Sequence, residues 1–218
     1  MTAPGTYRTK TADMFAVHQA ITTALDAAPT LVSSAVDNVD RVEVIGSFYE
    51  NVLEFLHVHH AGEDELIYPI LEERCAEEKA MLERIDAQHT LLNEPMEEAR
   101  AAIAEWQATP SAERAENVVR LIGVIDETLR PHLGEEEALV LPVASAWISP
   151  EEWGQLPVHA MQAFQADKPW LAVGLIREHL TSDQNDEMLS GMPPEVQTLW
   201  SQQWEPAFAA FITEVRAD

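Results

Sequence analysis

Apolar residues step along the first 148 positions at alternating intervals of four and three, the period of helices that turn one face to a core. Met14, His18, Ile21 and Leu25 form the first stripe, which Pro29 ends. Ile45, Tyr49, Val52, Leu56, His59, Glu63, Leu66 and Ile70 form the second. Leu82, Ile85, His89, Leu92, Met96, Ala99, Ile103 and Trp106 form the third, across Pro95, where a kink is expected. Val118, Ile122, Ile125, Leu129, His132, Glu136 and Leu139 form the fourth, with Ser111 as its N-cap. Links at 28–38, 74–77 and 107–112 are short. The pattern predicts an all-α, antiparallel up-down-up-down four-helix bundle over residues 11–148.

The period changes after residue 148, and residues 149–218 read as a C-terminal helical extension. Ser149 followed by Pro150 and Glu152 is a helix start. A helix is expected from about Lys168 to Leu180, a loop from Thr181 to Pro194, where Gly191 and two prolines fall, and a last helix from Pro194 to Val215. Trp153, Trp170, Trp200 and Trp204 give this segment apolar surface to bury. It is therefore expected to dock on the bundle or to make a homodimer contact with a second subunit.

Polar residues interrupt the stripes in a repeated way. His59 and Glu63 precede Pro69 as His132 and Glu136 precede Pro142, each residue recurring at an offset of 73, and His18 recurs as His89 at 71. No Lys or Arg stands on any stripe, so two buried carboxylates would each cost several kcal/mol unless a cation lies between them. Spacing of i, i+4 stacks His and Glu on one helix face about 6 Å apart, with one group free to ligate and the other to bridge. The candidate metal ligands are thus His18, His59, Glu63, His89, His132 and Glu136. His57 and His60 lie on a neighbouring stripe with Asp64 and are assigned to supporting or surface positions, since the residues 73 further on are Arg130 and Leu133. His159 and His179 lie outside the repeat and are read as structural, and Tyr49 and Tyr68 as core residues or neighbours of the site.

Composition narrows the chemistry. Cys75 is the only cysteine, which excludes a disulfide framework, a Cys-x-x-Cys redox pair, zinc fingers and iron–sulfur clusters. Imidazole and carboxylate together in a bundle core point to iron or manganese, and most simply to two ions joined by carboxylates. If both glutamates bridge, about one position per octahedral ion is left open to a reactant. A formal charge of −25 without a basic cluster argues against nucleic acid and anionic membranes as partners, and the remaining acids read as a solvated surface. The polar start and the lack of a long apolar run lead to a cytoplasmic expectation.

The order His, then His-x-x-x-Glu with a later Pro, then the same again, resembles the bacterial hemerythrin-like (HHE) cation-binding domain over about residues 11–148. The resemblance implies a non-haem di-iron site, oxo- or hydroxo-bridged, with His18, His59, His89 and His132 terminal and Glu63 and Glu136 bridging; manganese and zinc rank behind iron. It also implies binding of, or reaction with, dioxygen, peroxide or nitric oxide, in sensing or detoxification. Two departures bear on this. The oxygen carriers' fifth His, one turn past the third-helix His, is here Asn93, which weakens oxygen carriage; and no cysteine-containing segment precedes the first helix, which weakens iron donation for cluster repair. An oxygenase or oxidase acting on an organic substrate is the alternative, followed by metal storage. An apolar tunnel to the metals would favour the oxygenase.

Overall fold

The computed structural model describes residues 5–36 and 38–217; the first four residues of the polar start, Asp37 of the first link and the last residue lie outside it. Thirteen α-helices and two π turns make up its regular structure, and among the described residues there is no strand. Four elements form the bundle: α1 (Asp13–Asp26), α3 (Val39–Leu66), α5 (Lys79–Ala108) and α6 (Ala112–Glu135). Neighbours run α1 to α3, α3 to α5, α5 to α6 and α6 back to α1, which closes the square. No helix of the described residues is long and apolar enough to cross a membrane.

The four stripes face the core as the period requires. Ile21, Leu25, Ile45, Leu56, Leu92, Ile103, Ile122 and Leu129 are buried in one apolar cluster, each such side chain worth roughly 1.5–3 kcal/mol on leaving water. Ser111 caps α6 by accepting a hydrogen bond from the Arg114 amide at 3.2 Å. Pro95 sits inside α5, which continues as one helix through it. Pro29 does not end in a loop: α1 stops at Asp26, and proline, which needs no amide donor in a first turn, opens the short α2 (Ala28–Ser34).

The stripes break register just after each glutamate of the motif. Pro69 and Pro142 cannot donate to the helix, and their rings crowd the carbonyl four residues back. After Glu63 the helix breaks at Ile67, and α4 (Tyr68–Arg74) starts anew. After Glu136 the helix widens instead into a π turn, Glu136–Val140, in which the Leu141 amide reaches back to the Glu136 carbonyl, before α7 (Leu141–Trp147). Each change advances the buried stripe by one residue. Leu139, expected on the seam, is 41% exposed while Val140 is buried, and Ile67 and Leu71 are buried where Leu66 and Ile70 were expected.

The extension packs back on α1 and α3. Ser149 and Glu152 form a capping box at α8 (Pro150–Trp153), followed by α9 (Gln155–Ala163) and α10 (Pro169–Glu178). The stretch expected as a loop after Thr181 is helical: Thr181 and Gln184 form a second capping box, and α11 (Ser182–Gly191) ends before Pro193 and Pro194. Cap chemistry outweighs the turn composition there. Then α12 (Pro194–Leu199), a π turn (Trp200–Trp204) and α13 (Glu205–Val215) make one helical run. Gly174 lets α10 meet α13, since a Cβ there would lie 2.2 Å from the Phe208 ring.

Two buried polar residues of α3 seat this segment. Asn51 accepts from the Lys168 amide at 2.8 Å and donates to Asp167 at 2.9 Å, while Glu54 accepts from the Gln165 amide and from Arg100, both at 2.9 Å. Glu54 is therefore an exception among acids read as solvated.

Candidate metal centre

All six residues expected as ligands are buried and converge at one level of the bundle: His18 from α1, His59 and Glu63 from α3, His89 from α5, His132 from α6, and Glu136 at the start of the π turn. His60 joins them. Its ring is 6% exposed and stacks on His89, centroids 4.1 Å apart and planes at 15°. The donor atoms sort into two groups that share Glu63: His18, His59, Glu63 and Glu136 on one side, and His60, Glu63, His89 and His132 on the other. His57, by contrast, is exposed.

Hydrogen bonds at the outer ring nitrogens fix which nitrogen faces inward. Nδ1 of His18 pairs with Glu137 at 2.8 Å, Nδ1 of His89 with Asp64 at 2.5 Å, and Nδ1 of His132 with Gln88 at 3.0 Å. A carboxylate or amide oxygen there accepts a hydrogen bond from Nδ1–H, which turns Nε2 towards the interior. The Nε2 atoms of His89 and His132 are 3.1 Å apart, close to the ~3 Å that separates two nitrogens bound at right angles to one ion at about 2.1 Å. Gln88 and Glu137 lie next to candidate ligands in sequence, yet periodicity gives them no core position, so only the fold shows their role.

The inner atoms lack protein partners. Nε2 of His18, His59 and His60, both carboxylate oxygens of Glu63 and Oε2 of Glu136 are buried without a hydrogen bond. Burial, and next the charge of Glu136, push the Glu63 carboxyl well above its ordinary value. Burial would raise Glu136 as well, but in the metal-free chain the protonated His18 ring 3.4 Å away, whose pKa burial would lower and Glu136 and Glu137 raise, holds it low. Burial and then the neighbouring histidines push His59 and His60 well below the imidazole range, and burial brings His132 to about 4. These are neutral imidazoles around a carboxylate pair that cannot both carry charge unaided. A cation takes such imidazoles as they stand and removes the carboxylate repulsion.

The hemerythrin HHE cation-binding domain profile matches residues 9–144. The chain belongs to the hemerythrin HHE cation-binding family. No curated protein and no solved structure matches it. Its hemerythrin-like bundle is thus a metal-binding one, with buried His and Glu groups placed to hold cations.

Around this hemerythrin-like centre, the residues left open by sequence fall into place. Tyr49 is a core residue, donating its hydroxyl to the Ala24 carbonyl at 3.1 Å. Tyr68 borders the centre: its ring meets His89 edge on at 5.6 Å and its buried hydroxyl has no partner. His159 of α9 lies behind the motif, where a Cβ on Gly62 would stand 3.3 Å from its ring, and Nδ1 is 3.6 Å from Glu65. A cleft of about 430 Å³ between α3 and α5 reaches His60 and His89 from outside, with His57, Asp64, Asp86 and Asn93 in its walls.

Proposed function

We propose that this protein holds a dinuclear iron centre whose open positions bind or react with dioxygen, peroxide or nitric oxide, in sensing or detoxification. His18, His59, His89 and His132 would serve as terminal ligands and Glu63 and Glu136 as the carboxylates between the ions, with an oxo or hydroxo group from solvent. One observation carries the reading: six buried side-chain atoms without hydrogen bonds converge on two places that share one carboxylate. Leaving them bare would cost about 1–3 kcal/mol each, and two cations would satisfy all of them.

Iron bound there supplies redox change and coordination positions for a small reactant. The chain's own groups do the rest. Asp64, Glu137 and Gln88 hold the outer imidazole protons, so the inner lone pairs keep their aim. Helices α1, α3, α5 and α6 bury the candidate ligands, and the cleft between α3 and α5 reaches them from outside at His60 and His89. The cleft offers Asp64, Asp86 and Asn93 to a small polar reactant such as peroxide, beside the apolar Ala61 and Met96. An oxygenase acting on an organic substrate is the second reading.

Anaerobic metal analysis with optical spectra before and after addition of dioxygen, peroxide and nitric oxide tests the proposal. About two iron ions per chain and spectral change at the metal within seconds are expected. One zinc and no iron in native protein would overturn it.

A further inference from the structure

We infer that His60 is a fifth imidazole ligand, supplied by α3 directly beside His59, so that the two metal positions differ: three imidazoles at one and two at the other. The inference rests on the dinuclear reading above and deepens it by assigning this histidine.

Consecutive helical residues point about 100° apart, so His59 and His60 cannot both face one ion from one helix. They can serve two ions lying side by side, and the structure divides them in that way. His59 groups with His18 and Glu136, whereas His60 groups with His89 and His132, and Glu63 one turn on belongs to both. The stacked His60 and His89 rings and the edge-on His132 ring, its centroid 5.2 Å from His60, leave three imidazoles converging from α3, α5 and α6.

A packing role accounts for less. A histidine kept for packing finds a hydrogen-bond partner when buried, but Nε2 of His60 has none. Replacing it by an apolar ring of similar size would remove an unsatisfied atom at no cost to the apo-protein.

The consequence is an unequal pair. Glu63 belongs to both groups and Glu136 to that of His18 and His59, so one position gathers three imidazoles and one carboxylate and the other two imidazoles and two carboxylates.

His60→Phe in the full chain, with His57→Ala as the exposed control, tests this. Iron per chain, the imidazole count from X-ray absorption of the iron-loaded protein, and the melting temperature with and without metal are measured together. We expect the variant to lose at least half of its iron or show a lower imidazole count, and the gap between loaded and apo melting temperatures to shrink, with the control like wild type. An unchanged gap, iron content and imidazole count in His60→Phe would overturn the inference while leaving the dinuclear reading intact. Wild type that takes up no iron would overturn both. If the Phe variant melts low even as apo-protein, His60→Gln is measured in its place, and a full iron complement with an unchanged imidazole count in that variant would again overturn the inference.

Discussion

Asp64 accepts a hydrogen bond from Nδ1 of His89 at 2.5 Å, and Asp64 itself is an exposed residue on the wall of the cleft. It thus carries the aim of a buried imidazole from outside the core. Asp64→Asn keeps the shape but weakens the acceptor and no longer enforces the tautomer. Iron affinity should fall by about 10–100-fold, as for other second-layer carboxylates, with little change in apo stability. Competition with a chelator gives the affinity, and a melt of the apo-protein gives the control.

Metal removal should lower the melting temperature, since a ligand that binds only the folded state adds about 4 kcal/mol at a thousandfold excess over its Kd. Calorimetry of loaded and chelated protein checks this. Equal values would mean that the inner carboxylates are compensated by something other than a cation.

Glu63 gives a pH signature in the apo-protein. Its folded pKa is raised by burial and by Glu136. The group's contribution is therefore fully present below the ordinary glutamate pKa and is lost as pH rises through the raised value. Glu63→Gln removes that loss. The stability difference between variant and wild-type apo-protein should grow in the variant's favour as pH rises from about 4.5, measured by urea melts across pH. A flat difference would mean that Glu63 is ordinary.

Glu152 gives the opposite sign. Its carboxylate meets Arg74 through two nitrogens, at 2.6 and 2.9 Å, and also caps α8, which holds its pKa at about 2. That stabilisation is present above the ordinary glutamate value and is lost as pH falls towards 2. The pair is about one third exposed, so solvent screening reduces it to about 1 kcal/mol. Glu152→Gln should cost that amount at pH 7 and only a small part of it at pH 2, in the same kind of melt.

Asn51 should matter for the extension rather than for the metal. Asn51→Ala leaves the Lys168 amide without its acceptor, a loss of about 1–3 kcal/mol. Limited proteolysis should then cut faster between α9 and α10, while iron content stays unchanged.

The bundle and six candidate ligands were legible because both follow helical period: a His or Glu on an apolar stripe is visible as an exception to it. His60 was not, because it stands one residue off the stripe, and a partner 73 residues on that is Leu133 counted against it. What places His60 inside is the approach of α5, whose His89 ring lies flat on it. Leu139 was misplaced for a related reason, since the π turn adds a residue that no fixed period contains. Helix α11 stands where Gly191 and the prolines suggest a loop, because they mark only its end, while Thr181 and Gln184 cap its start.

Each of the two donor groups draws on three elements: α3, α5 and α6 for the one with His60, and α1, α3 and the turn that follows α6 for the one with His18. No hairpin of this chain can assemble either position by itself. Metal capture at either place requires long loops to close first, so its stabilisation is expected to slow unfolding more than it speeds folding. A cation bound there would act as a latch on a finished bundle, and its departure would be the step that lets the chain open.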